Sequence, residues 1–216
     1  MITLAAQIKL NDGTLITIGR DNILSLNISS FEKGDIKLPS YGIISNKGNL
    51  SFSDYHNEVR EYAEKLLIND KSTARVYLNN TLTKRSKQVA FLQATEWNYD
   101  NINRSVSVTL KDDLEEWQDI QIEAIDYDPR NPTKVFSTLA DLYKWLYDRT
   151  PSKYKMLTFE ELNDDTRLIL TKSKLTYPLL QSATLWQQWT KMCEATGSYI
   201  HKNADERTVF VHRNGV

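Results

Sequence analysis

Ser105-Val106-Ser107-Val108-Thr109-Leu110 alternates small hydroxyl-bearing residues with apolar ones. Successive side chains of a strand point to opposite faces, so this spelling predicts a half-buried strand with Val106, Val108 and Leu110 turned inward. Just upstream, Gln88 to Trp97 is a second strand-like run, and Asn98-Tyr99-Asp100-Asn101 is a polar connection between the two. Strands joined so closely run antiparallel, and Ala74, Val76 and Leu78 add another with period two. The basic cluster Lys84-Arg85-Ser86-Lys87 then falls in the turn between them.

Working towards the N-terminus, Val59, Tyr62, Ala63, Leu66 and Leu67 change to helical spacing, with Asp54 as a predicted N-cap and Asn69-Asp70 as the stop. Short strands are expected at Ile43-Ile44 and Leu50-Ser51-Phe52. At the start, Ile2, Leu4, Ala6, Ile8 and Leu10 alternate up to Asn11-Asp12-Gly13, a hairpin signal, and Thr14 to Ile18 is the return strand. Leu24, Leu26 and Ile28 repeat the alternation. Residues 1–128 thus read as an antiparallel, barrel- or sandwich-like β domain with one inserted helix.

Towards the C-terminus the composition shifts at Pro129-Arg130-Asn131-Pro132, where two prolines restrict their predecessors and mark a linker. Beyond it, Phe136, Leu139, Tyr143 and Leu146 predict a helix ending before Pro151; Leu185, Trp186, Trp189, Met192 and Cys193 predict another, capped by Ser182 and stopped at Gly197. A closing hairpin is expected from Ser198–Lys202 and Arg207–Arg213, pairing Ile200 with Val209 and Ser198 with Val211. Residues 133–216 therefore form a second, mixed domain of two helices and a hairpin, and the whole chain reads as α+β.

The 216 residues include 27 basic and 28 acidic ones, for a formal net charge of −1, so no overall field draws the chain to nucleic acid or an anionic membrane. Hydrophobic residues at 40% and charged residues at 25% fit a folded globular chain rather than a disordered one. With Cys193 as the one cysteine, an internal disulfide or a multi-thiolate metal site is excluded. No basic leader precedes the first apolar residues, and no apolar run approaches the roughly 18 residues of a spanning helix. The expectation is no signal and no membrane partner.

Catalytic constellations are hard to assemble from these residues. His56-Asn57-Glu58 matches half of a zinc deaminase signature, but the paired cysteines that would hold the metal are missing. His201 and His212 stand near opposite ends of the predicted hairpin, too far apart to share a metal. Asp112, Asp113, Glu115, Glu116, Asp119, Glu123, Asp126 and Asp128 form an acidic run, read as a solvated face or as a wall facing DNA in passage. Asp126-Tyr127-Asp128 fails as a calcium loop because Arg130 and Asn131 occupy the positions of a ligand and a glycine. The seven glycines are scattered, leaving no phosphate-cradling loop. Cys193 lies on the apolar stripe of its helix and reads as a buried, inert thiol. No catalytic, cofactor-binding or metal residue is assigned, and the chain is expected not to be an enzyme. Five Trp and eleven Tyr instead supply apolar area with polar handles, suited to a core or an interface; Trp97, Trp117, Trp145, Trp186 and Trp189 are expected to be mostly buried.

The segment Leu38-Pro39-Ser40-Tyr41-Gly42-Ile43-Ile44-Ser45-Asn46-Lys47-Gly48-Asn49-Leu50-Ser51-Phe52-Ser53-Asp54 resembles tail proteins of bacteriophages. Glu96-Trp97-Asn98-Tyr99, followed by Val106 through Leu114, is similar to the hairpin and acidic turn of tail hub or tail-tip proteins. Leu185 to Ala195, with Gly197-Ser198-Tyr199-Ile200 and Thr208-Val209-Phe210-Val211, is similar to the helix-plus-hairpin unit in the second domain of such hubs. The resemblance implies a baseplate-hub-like structural subunit located in the virion tail after assembly in the host bacterial cytoplasm. It further implies a homo-oligomeric ring, with a trimer favoured, partnered by tube, distal tail, fibre or spike proteins. Such a ring binds no specific nucleic acid but leaves a channel for DNA, and this chain would be the N-terminal portion of a longer hub, which its stop after the hairpin favours, or else a short hub without a receptor-binding or enzymatic extension. The reading from a different class is a β-sandwich adhesion or carbohydrate-binding module that stacks sugars on exposed Tyr and Trp.

Overall fold

Val106, Val108 and Leu110 are buried to within 2% of complete, as their alternation requires. They belong to a computed structural model that describes residues 2–10, 12–32, 42–54, 72–80, 82–122, 136–173 and 183–212. The helix expected at Val59–Leu67, His56, the Pro129–Pro132 linker and Ser182 lie outside the described residues.

The strands are β1 (Ile2–Lys9), β2 (Leu15–Ile18), β3 (Ile23–Glu32), β4 (Gly42–Ser53), β5 (Ser72–Asn80), β6 (Arg85–Asp100), β7 (Ser105–Lys111), β8 (Gln121–Ile122), β9 (Ala183–Thr184), β10 (Ser198–Lys202) and β11 (Thr208–His212). The helices are α1 (Leu139–Arg149), α2 (Asp164–Lys172) and α3 (Leu185–Thr196). Among the described residues sheet dominates and helices are few, so the α+β class broadly holds. The chain divides into two units, one of Met1–Phe31, Asn46–Asp112 and Asn203–Asp205, the other of Glu32–Ser45, Asp113–Lys202 and Glu206–Val216.

In the first unit the strand order is β4-β7-β6-β5-β1-β2, with β3 also paired to β4, and the described strands form no closed barrel. The hairpin signal at Asp12-Gly13 is a real turn, closed by Leu10 N–H donating to the Thr14 carbonyl at 2.9 Å, with Gly13 at φ +89°. Ala6, Ile8, Ile18, Leu50, Phe52, Ala74, Leu92 and Ala94 join the β7 residues in one core.

Two turns flanking β6 share one design. The Asn80 side chain accepts from the backbone of Leu82 and Thr83 at 3.0 and 3.2 Å, and Asp100 accepts from Ile102 and Asn103 at 2.9 and 3.1 Å. Each turn ends on a left-handed residue, Lys84 at φ 52° and Arg104 at φ 47°. Of the predicted basic turn, Lys84 stays in the loop while Arg85, Ser86 and Lys87 open β6. A bulge interrupts the β6–β7 register between Thr95 and Trp97, where Glu96 takes φ 51°. Gly48 meets the closest backbone approach: a Cβ there would stand 2.0 Å from the Asn27 carbonyl oxygen of β3.

The second unit packs α1 and α3 around aromatic rings. Tyr143 lies edge-on to Trp189 and to Phe210, with centroids 5.2 and 5.5 Å apart, and Trp117 meets Tyr154 edge-on at 5.7 Å. Trp117 and Trp189 are fully buried, Trp186 nearly so, and Trp97 and Trp145 partly. Gly197 stops α3 at φ 64°, its N–H reaching the Cys193 carbonyl, as the sequence predicts. The cap at the other end differs: Thr184 starts α3, in a capping box with Gln187, because its hydroxyl sits three residues before a side chain that reaches back. A third helix, α2, was not predicted; its signal is Asn163 as N-cap with Asp164 and Asp165 in the first turn.

The terminal hairpin is shifted by one residue from the expected register. Ile200 pairs with Phe210 and Ser198 with His212, not with Val209 and Val211. A one-residue slip exchanges faces, so Ile200 and Phe210 go inward together with the polar Ser198, Lys202 and Thr208. Those polar side chains misled the apolar pattern.

Candidate functional site

The acidic run is the first candidate, and the fold disperses it. Asp112 is buried at the end of β7, where one oxygen accepts from the Asn46 backbone at 2.5 Å and the Asn46 amide at 3.3 Å, locking β4 to β7 in the first unit. Asp113 opens a 3-10 turn, Asp113–Gln118, in the second unit and stands 3.2 Å from the Lys202 ammonium. Glu116 accepts from Lys153 at 2.5 Å and from the Tyr154 hydroxyl at 2.8 Å. Of the five described members, Asp119 alone is exposed. The expected solvated or DNA-facing acidic wall is thus corrected for Asp112 and Asp113, whose carboxylates are drawn inward by Asn46 and Lys202; Glu116 keeps a 39% exposed side chain, and Glu123, Asp126 and Asp128 lie outside the described residues.

Lys202 is the centre of this second-unit network. Its side chain is 4% exposed, and its ammonium donates to the carbonyls of Tyr154 at 3.0 Å and Glu206 at 3.4 Å besides facing Asp113. Burial pushes the Asp113 carboxyl above the usual carboxylate range, against the opposing pull of Lys202. Burial likewise pushes the Tyr154 phenol up to about 12. Through Lys202, Tyr154 and Thr208 this network is a lock between the hairpin and the Ser152–Tyr154 turn.

The histidines and the thiol stay apart. His201 and His212 project from opposite faces of the hairpin, since His201 pairs with Val209 while His212 pairs with Ser198. Burial lowers the His201 imidazole pKa. Cys193 is fully buried and its thiol is pushed well up by that burial, matching the inert thiol expected from its helix stripe.

A surface stands out where sequence reasoning saw only a turn. On the core face of β1, β5 and β6, the buried row Ile8–Ala74–Leu92 and the row Ala6–Val76–Ala90, in which Ala90 is half-buried, are followed by Leu4–Leu78–Lys87 and Ile2–Asn80–Arg85. The face continues beyond its cover: Leu4 and Leu78 are each 37% exposed and Ile2 is 68% exposed. Pairing with β2 begins at Ala6, so β1 has no strand partner on that side from Ile2 to Ala5 among the described residues; pairing with β7 begins at Gln93, and before it the Gln88 amide of β6 donates to the Ala204 carbonyl of the Asn203–Asp205 loop. Leu82, at the adjoining tip, is 84% exposed. The signal that could have located this surface is the charge pattern: from Lys71 to Thr95, and again from Met1 to Asn11, no Asp or Glu occurs.

No protein-family model matches the sequence, and a search of curated proteins finds no match. The search of solved structures does find matches. The tail protein from Neisseria meningitidis MC58 superposes with a TM-score of 0.52 at 14% identity, over 96% of this chain and 51% of that one. The 43 kDa tail protein of prophage MuSo2 from Shewanella oneidensis gives 0.49 at 12% identity, over 97% of this chain and 56% of the other. The chain therefore spans about half the length of the structures it matches. At such low identity the likeness is one of fold: nearly the whole of this chain is built as about half of the Neisseria meningitidis tail protein is built.

Proposed function

We propose that this chain is a structural subunit of a phage tail tip or baseplate hub, located in the virion tail after assembly in the host cytoplasm. It oligomerises into a ring, a trimer by preference, joins the tail tube to distal fibre or spike components, and leaves a channel through which DNA passes. It does this work by binding and not by catalysis. The observation that carries the reading is the shared fold with a tail protein over 96% of the chain. Two features agree with it: Asp112, Asp113 and Glu116 of the acidic run have partners within the chain, and an exposed apolar sheet end remains to be covered.

Electron microscopy of the purified protein tests the proposal. A ring-shaped particle with threefold symmetry is expected. A stable monomer in light scattering that is retained on a glycan column would instead favour the carbohydrate-binding module and overturn the hub reading.

A further inference from the structure

The uncovered end of the β1–β5–β6 face combines two properties that seldom coexist on a solvated surface. Ile2, Leu4, Leu78 and Leu82 are apolar and exposed, and the charged residues on the described strand ends that carry them, Lys84, Arg85 and Lys87, are basic and exposed. An occupant must bring apolar area together with negative charge. This chain carries such a surface elsewhere: in the second unit, Glu160 and Asp165 are exposed around the start of α2, beside Glu161 and Asp164, which pair with Arg207 and Arg167, and Leu168, one turn on, is 50% exposed. On α2 the helix period places Leu168 near Asp164 and Asp165, so the acids border an apolar side chain much as the basic residues border Leu78.

We propose that the β1–β5–β6 end of the first unit is a contact surface for a second copy of this chain, which presents its acidic α2 start and Leu168. The inference rests on the ring-forming reading above and deepens it. The two patches differ, so the contact is head-to-tail: each copy offers one patch to each neighbour, and the chain of contacts ends when the rotation closes a ring. Opposite charges set the register, the leucines and Ile2 supply the buried area, and the β1 edge from Ile2 to Ala5 gives backbone groups to pair.

Sedimentation velocity of the full chain over a wide concentration range tests this. The wild type should self-associate, more weakly at high salt. Arg85→Glu/Lys87→Glu should weaken association at least about tenfold, and so should Glu160→Lys/Asp165→Lys. All four changes in one chain should restore it. Leu82→Asp, at a tip too exposed to disturb the core, should also weaken assembly and guards against misfolding of the charge variants. If the wild type assembles while Arg85→Glu/Lys87→Glu and Leu82→Asp assemble equally well, this surface is overturned and the ring reading stands. Weakening without restoration in the four-site variant would overturn the α2 assignment. A wild type that stays monomeric throughout would overturn both the contact and the ring.

Discussion

Lys202 and Thr208 are cross-strand partners in the terminal hairpin, and both donate to one acceptor, the carbonyl oxygen of Tyr154, at 3.0 and 2.6 Å. The Thr208 backbone also bonds Lys155 and Leu157 on either side, so β11 is stitched to that segment as a short parallel bridge. The hairpin is thereby held through polar groups that are themselves buried.

Removing Lys202 should therefore be costly, since it strands the Asp113 carboxylate in a site already unfavourable to charge. Lys202→Met is expected to destabilise by about 3–5 kcal/mol, and Lys202→Met/Asp113→Leu to recover much of the loss. Urea unfolding of the two single variants and the double variant gives the coupling. Additive losses would show that the pair does not act as one unit.

Gly48→Ala is expected to cost at least about 2–3 kcal/mol, because the new methyl would overlap the Asn27 carbonyl and β3 would have to move away. Gly19→Ala is the control, as nothing lies within 4 Å of its added Cβ. Thermal melts that move equally for both would remove the close approach as the cause.

Asp141 and Asp113 should give opposite pH signatures. The hydroxyl and amide of Ser137, with those of Thr138, hold the Asp141 carboxyl below its ordinary value of 3.8. Its stabilising contribution is complete above that value and is lost as pH falls through the lower folded-state pKa. Asp113 is raised, so its contribution is complete below 3.8 and is lost as pH rises through its higher folded-state pKa. Asp141→Asn should flatten the acid limb of the stability curve and Asp113→Asn should steepen it, as measured by urea midpoints across pH. Thr138→Ala, which removes the other half of the capping box, should cost about 1 kcal/mol at neutral pH.

Cys193 should react with a disulfide reagent only when the second unit opens. Its thiol is fully buried and its pKa is pushed up, so the thiolate is scarce in the folded protein. Labelling in dilute urea should track the unfolding equilibrium. Rapid labelling in native buffer would mean that α3 is not packed as described.

Much of the fold could be read from local chemistry. The alternation through Val106–Leu110, the turn at Asp12-Gly13 and the stop at Gly197 each follow from one residue's geometry or from a period of two. The failures arose where a distant group decides. Nothing near Lys202 or Thr208 in sequence says that the Tyr154 carbonyl will accept from both, so their polarity argued for solvent and the hairpin register slipped by one. Asp112 and Asp113 are neighbours in sequence, yet one is bound to Asn46 and the other faces Lys202. No count of charges separates those fates. The apolar face at Leu4 and Leu78 was predicted as strand, but where its cover stops depends on how far β2 and β7 reach along their partners.

The paired turns at Asn80 and Asp100 also bear on the order of folding. Each closes its hairpin with donors two or three residues away, so β5, β6 and β7 can find one another through short chain loops. Pairing of β1 with β5 joins residues some 70 positions apart, as in Ala5 with Tyr77, and must wait for a much larger loop to close. Mutations at Val106 and Leu92 should accordingly slow refolding, whereas those at Ala6 and Ile8 should mainly speed unfolding. The meander would then be the template on which the first strand of the chain is laid down last.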